Sequence, residues 1–151
     1  MPGTGPSKTL LWGAAAATAF AAIFFPHLEA VKNKGQSVWE IWPHDLEGTI
    51  LVPLVIVLTI ALFAFVGGWA WSDTGAHNRP AKVGLVCDFF DLLGMLAFFL
   101  SAPIIFGGLA LALGVEGRRR SGTEGRGALA LGAIAVGAVA SLVGAAIWVL
   151  A

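Results

Sequence analysis

Charge is scarce in this sequence. Asp, Glu, Lys and Arg make up 12 % of its 151 residues, where a soluble domain carries about a quarter. The polar skin that keeps a globular domain in water is therefore missing. Nine cationic and nine anionic residues cancel, so no global field draws the chain to nucleic acid. A lone cysteine, Cys87, excludes an internal disulfide and any cysteine zinc motif. Tyrosine is absent, against six tryptophans. There is no HExxH, nucleophile elbow, phosphate loop or CxxC. Ser101 and Ser141 have no histidine or lysine in the spans to activate them. The histidines, His27, His44 and His77, fall in loops or at helix ends, not on faces that could hold haem or a metal inside a bundle. The expectation is a non-enzymatic protein with no cofactor and no metal.

Apolar residues fill the space that charge leaves. They reach 58 %, and mean hydropathy is +0.85. A bilayer core about 30 Å thick needs roughly 20 apolar residues of helix. Four segments approach that length: 10–25 (LLWGAAAATAFAAIFF), 50–71 (ILVPLVIVLTIALFAFVGGWAW), 84–115 with a kink near Pro103, and 127–151. None shows the two-residue alternation of a barrel strand. The expected fold is all-α: one polytopic integral membrane domain over 1–151, built as a four-transmembrane-helix bundle. The first segment has a rival reading as a secretory signal peptide led by Lys8. No small-x-small cleavage site precedes Pro26-His27-Leu28-Glu29, so the uncleaved helix is preferred.

The helix ends carry their own signals. Pro26 closes the first span, and Gly35 stops a short interfacial turn over 27–34. Ser37-Val38-Trp39-Glu40 fits a capping box, limited to about one turn by Pro43. Asn78, two residues before Pro80, suits the start of the third helix. Unbroken from there to Glu116, that helix would measure about 55 Å, more than a bilayer covers. Its first turns then stand proud of the membrane or lie in the interface, and Pro103 kinks it.

The stretch from Val115 to Gly127, VEGRRRSGTEGRG, holds four of the nine cationic residues. Read as a flexible loop over 116–126, its Arg118, Arg119, Arg120 and Arg126 share a side with Lys32 and Lys34. Lys8, Arg79 and Lys82 lie on the other side. The positive-inside rule then puts the basic loop in the cytoplasm of a bacterial inner membrane and both termini outside. The same arginines suit anionic lipid or an acidic partner, at roughly 1 kcal/mol per cation near the headgroups. Trp12, Trp69, Trp71 and Trp148 are expected at the outer interface, and Trp39 and Trp42 at the inner one.

Small residues are expected to set helix packing, because lipid gives no hydrophobic drive between helices. Ala133, Gly137, Ser141 and Ala145 recur every four residues in the last segment. Gly13, Ala17 and Ala21 do so in the first, and Cys87, Gly94, Ser101 and Gly108 step by seven in the third. Asp88 and Asp91 are three apart on that third helix, and Asp91 falls on its small-residue stripe. A carboxylate at membrane depth is a proton or cation candidate. The rival reading places both at the interface, paired with Arg79 or Lys82 and favoured by the helix dipole.

The run FGGLALALGVEGRRRSGTEGRGALALGAIAVGAVASLVG resembles the bacterial domain-of-unknown-function family numbered four-one-nine-zero, a transmembrane hairpin with a basic loop. The matching residues are Arg118 to Arg120 and Gly125-Arg126-Gly127-Ala128-Leu129-Ala130. Ala128 before Leu129 and Leu131 before Gly132 depart from the family pattern. The likeness covers about a third of the chain and implies a membrane location without an activity. Together these readings give an accessory, assembly or scaffolding subunit, in lipid with other membrane subunits or with copies of itself. The alternative is a small oligomeric transporter or ion-coupled protein using Asp91. A third reading, an envelope enzyme built on His44, Asp45 and Glu47, lacks a partner metal.

Overall fold

A computed structural model describes residues 8–35, 46–72, 77–97 and 101–150. All regular structure among them is helical: α1 (Thr9–Lys34), α2 (Leu46–Ala61), a π-helical stretch (Leu62–Gly67), α3 (Gly68–Ser72), α4 (Arg79–Ala97), α5 (Ala102–Glu124) and α6 (Gly127–Leu150). From α2 to α3 the helix continues through the π-helical stretch, so the described residues form five rods. Three are long and apolar enough to cross a membrane: Thr9–Lys32, Thr49–Ser72 and Gly127–Leu150. At 24 residues each they measure about 36 Å.

Pro26 does not end the first helix. It sits inside α1, which runs on to Gly35; there a left-handed residue (φ 68°) donates its N–H to the Ala30 carbonyl. The larger departure is at the expected third helix. It is not one kinked rod over 84–115 but two rods, α4 and α5. Ser101 is left-handed (φ 56°), and Pro103 lies in the first turn of a new helix. A proline there lacks only an N–H that would have had no partner inside the helix. The chain therefore turns back on itself. A β-carbon on Gly84 would lie 3.2 Å from the Ala110 carbonyl, one on Gly94 3.3 Å from Ala102, and one on Gly117 2.8 Å from Ala81. Near the middle, Phe90 and Phe106 stack at 6.2 Å between ring centroids.

Nor are residues 116–126 a flexible loop. Helix α5 continues to Glu124, and only Gly125 and Arg126, both at positive φ, make the turn into α6. Then α6 packs antiparallel to α5, with Gly114 against Ala130 and Ile134, and Gly144 against Pro103 and Ile104.

The extra rod changes the parity of the bundle. Leu11, near the start of α1, shares a core with Phe63, Trp71, Leu109 and Leu113. Farther along, Ala22 packs with Val55, Ile104 and Ile105, close to Trp148. Lys32 Nζ donates to the Val149 carbonyl at 3.3 Å. The start of α1 and the finish of α6 thus lie at opposite ends, where a four-rod bundle would place them together. The cationic residues sort accordingly. Lys8, Arg79, Lys82, Arg118, Arg119, Arg120 and Arg126 gather at one end, while only Lys32 and Lys34 lie at the other.

Packing follows size complementarity more than the small-residue ridges. On α1 the buried face is Leu11, Ala15, Thr18 and Ala22, whereas Gly13 and Ala17 are exposed and Ala21 is half-buried. Leu11 fills the space beside Gly67, and Thr18 presses against Gly108. On α6 the ridge holds at Ala133 and Gly137 and then moves to Ala140 and Gly144, leaving Ser141 and Ala145 half-buried. Strict four-residue steps drift round a helix of 3.6 residues per turn, and alternating three and four follows the contact. The seven-step stripe is divided by the hairpin. Cys87 and Gly94 stay on α4, Ser101 donates to the Ala22 carbonyl at 2.9 Å, and Gly108 serves α1.

The tryptophans also divide differently. Trp12 and Trp69 are exposed at the basic end, but Trp148 is half-buried at the other. Trp71 is no belt residue: it is wholly buried in the core, its Nε1 without a hydrogen-bond partner. Trp39 and Trp42 lie outside the described residues.

Candidate functional site

Helix α4 is held in register from its first residue. Asn78 (φ 41°) caps it, with Oδ1 accepting from Ala81 N–H at 3.4 Å. Its side-chain amide donates to the Gly117 carbonyl and to the Gly125 carbonyl, each at 2.8 Å. This side chain therefore fastens the start of α4 to the last turns of α5. Arg120 adds a second tie, binding Glu116 Oε1 at 2.8 Å and donating to the Trp71 carbonyl at 2.7 Å. The pair is buried, so Arg120 belongs to the interior and not to a lipid-facing or partner-facing loop. Glu116 four residues earlier on the same face, and the C-terminal carbonyls of α3, explain why it turns inward. Arg118, Arg119 and Arg126 are exposed, and Arg126 Nη1 donates to the His77 carbonyl at 3.4 Å.

That register fixes which side of α4 faces inward. Ala81, Gly84, Cys87, Asp88 and Asp91 are buried, while Leu85, Val86, Phe89, Phe90, Leu92 and Leu93 face outward. Asp88 is 3 % exposed and Asp91 0 %. None of their four carboxylate oxygens has a hydrogen-bond partner. The interfacial pairing with Arg79 or Lys82 is not formed. Arg79 instead places its guanidinium 4.5 Å from the centre of the Trp69 ring. A buried carboxylate ion without a partner costs several kcal/mol, so the pair is either neutralised or highly unfavourable.

Asp91 meets α5 at Gly107, where α6 also comes close. At Gly107 of α5, the place a β-carbon would take lies 2.5 Å from Ser141 Oγ, 2.8 Å from the Gly137 carbonyl and 2.9 Å from Asp91 Oδ2. A carboxylate from α4 and a hydroxyl and carbonyl from α6 thus converge over the bare backbone of α5. Any side chain at Gly107 would fill that space. Gly137 makes the approach mutual, since a β-carbon there would lie 2.8 Å from the Gly107 carbonyl. Among the described residues, no group of three or more His, Cys, Asp or Glu could hold a metal ion. His44 and Asp45 lie outside the described residues, and Glu47 falls in the first turn of α2.

Sequence reasoning found both aspartates and put Asp91 on the inward stripe. It used Gly137 as a packing residue, and Ser141 as a packing residue and an unactivated hydroxyl, and did not bring them to the Gly107 that Asp91 meets. The signal for that was weak, because the link depends on the α4–α5 hairpin. For Asn78 and the Glu116–Arg120 pair the signals were present: a cap residue, and opposite charges four apart. Compared with protein-family models, curated proteins and solved structures, the chain matches none of them.

Proposed function

We propose that this is an integral protein of a bacterial inner membrane that handles protons or small cations through Asp88 and Asp91. The observation that carries the reading is the burial of two adjacent carboxylates without a donor or counter-ion. Ionisable groups kept at such a cost inside a membrane bundle mark ion or proton sites by default. A structural subunit has no need of them. The concentration of seven cationic residues at one end supports an orientation with that end in the cytoplasm. The start of α1 then lies inside and the finish of α6 outside. Anionic headgroups or an acidic partner suit exposed Arg118, Arg119 and Arg126.

The accessory-subunit reading keeps one supporting observation. The outer face of α4 is a continuous apolar surface that includes Phe89 and Phe90, which suits a neighbouring helix as well as lipid. The deciding experiment is reconstitution into vesicles carrying a pH-sensitive dye. Imposed ion gradients should drive proton movement with the native chain and not with Asp91→Asn. An unchanged rate in that variant dismisses ion handling and leaves the accessory role.

A further inference from the structure

The rod that runs from α2 through the π-helical stretch to α3 is packed in an unusual register. Its buried positions Val55, Thr59, Phe63, Gly67 and Trp71 each follow the last by four. In a helix of 3.6 residues per turn a step of four drifts by about 40°, so the series would drift by about 160° and carry Trp71 out of the core. The π-helical stretch takes up most of that drift. The Gly68 N–H reaches back five residues to the Phe63 carbonyl, in a turn that holds one residue more. One extra residue sets everything after it back by about 100°. We infer that this stretch is a rotary joint: the extra residue can leave past Ser72, which turns α3 by about 100° and exchanges Trp71 for Trp69 in the core.

The sequence of α3 supplies two equivalent faces. As the chain stands, Ala70 and Trp71 are wholly buried, while Trp69 and Ser72 are exposed. A turn of one residue moves each side chain to the direction its successor now has. Trp69 then takes the direction of Ala70, Ala70 that of Trp71, and Trp71 that of Ser72. The inward pair is again an alanine and one tryptophan, and the other indole again lies outside. Gly67 and Gly68 stand at the joint. Apart from proline, glycine is the residue least committed to a helix, so the hydrogen-bond register slips there at low cost.

Opposing contacts balance the two registers. Trp71 Nε1 is buried without a partner, a penalty that ends when the indole reaches the membrane interface, where a ring with one polar edge is favoured. Against this, Arg120 binds the Trp71 carbonyl at 2.7 Å, and the Trp69 ring lies 4.5 Å from the Arg79 guanidinium. The rotation gives up both contacts. Two packings separated by so few opposing contacts are what a two-state element requires. Trp71 shares its core with Cys87, the residue before Asp88, so the exchange repacks the core on the basic side of the carboxylates. The joint stands on packing alone and holds whether or not those carboxylates carry ions.

The test uses purified full-length protein in dodecylmaltoside, with fluorotryptophan at all six tryptophans. Fluorine resonances of Trp69 and Trp71 are assigned by phenylalanine replacement. Exposure is read from broadening by a nitroxide-labelled fatty acid in the micelle. In the native chain the nitroxide should broaden Trp69 and spare Trp71, with a minor Trp71 signal in exchange. Trp71→Ala vacates the core and should bring Trp69 inside, with loss of its broadening. Deleting Ala64 as well takes out the extra residue, fixes α3 as it stands and should leave Trp69 broadened. Circular dichroism confirms that each variant is folded. Trp69 that stays broadened in folded Trp71→Ala overturns the joint. Protection of Trp69 in the deletion variant also overturns it, since the burial would not need the joint. Should the alanine variant not fold, saturation transfer in the native chain decides, and a Trp71 resonance with no exchange partner overturns it.

Discussion

Asn78 offers the most direct test of how the hairpin is held. In Asn78→Ala three things are lost together. The two amide bonds, to the carbonyls of Gly117 and Gly125 at 2.8 Å, disappear. The cap to Ala81 N–H goes with them. Alanine is also left at φ 41°, a conformation that asparagine tolerates. At about 1 kcal/mol net for each amide bond, and about 1 kcal/mol for the left-handed backbone, the loss comes to about 3 kcal/mol. The cap adds up to about 1 kcal/mol more, discounted for its length. Reversible unfolding in mixed dodecylmaltoside and dodecyl sulfate micelles, followed by far-ultraviolet circular dichroism, measures the sum. Asn78→Gly separates the parts, because it relieves the backbone cost and should recover about 1 kcal/mol relative to alanine. Asn78→Asp keeps the cap but faces two carbonyls with acceptors, so it should be no better than alanine. An alanine variant within about 0.5 kcal/mol of the native chain would refute the reasoning, since surface substitutions cause no more than that.

Two further predictions concern the buried ion pair and the parity of the rods. Glu116→Ala removes the carboxylate 2.8 Å from the buried Arg120 guanidinium and should cost about 3 kcal/mol, whereas replacing both partners by apolar residues should cost much less; the same micelle titration compares them. Reporter fusions test the parity of the rods: a cytoplasm-active reporter joined ahead of Lys8 and an export-active reporter joined after Leu150 should both be active, and activity of the same reporter type at both ends would contradict an odd number of crossings.

How much of this was legible in the sequence depends on the kind of signal. Three long apolar runs gave three of the rods, because length against bilayer thickness is a local property. The helical cap at Asn78 was equally local. The hairpin was not. Its reversal rests on Ser101 and Pro103, and the same residues read as a kink when the chain around them is apolar on both sides. The length of about 55 Å required by an unbroken rod was the clue, and folding back resolves it more simply than a protruding helix. The α1 face was misjudged for another reason. Alanine covers most of that helix, so small-residue spacing fits several faces, and the choice is made by Leu11 and Thr18 meeting glycines elsewhere. Asp91 was recognisable as costly from its position, but Gly137 and Ser141, which press on the same Gly107, belong to a helix some fifty residues later in the chain.

The hairpin of α4 and α5 also constrains how the molecule is made. Neither rod meets the length and hydropathy of the other three, and α4 emerges from the ribosome with two acids on the face that α5 and α6 will later cover. Left by itself in the translocon, such a segment has little reason to partition sideways into lipid. For α4 and α5 to lie in a membrane they must wait on downstream synthesis and enter together with α6, the one of the three long and apolar enough to cross by itself.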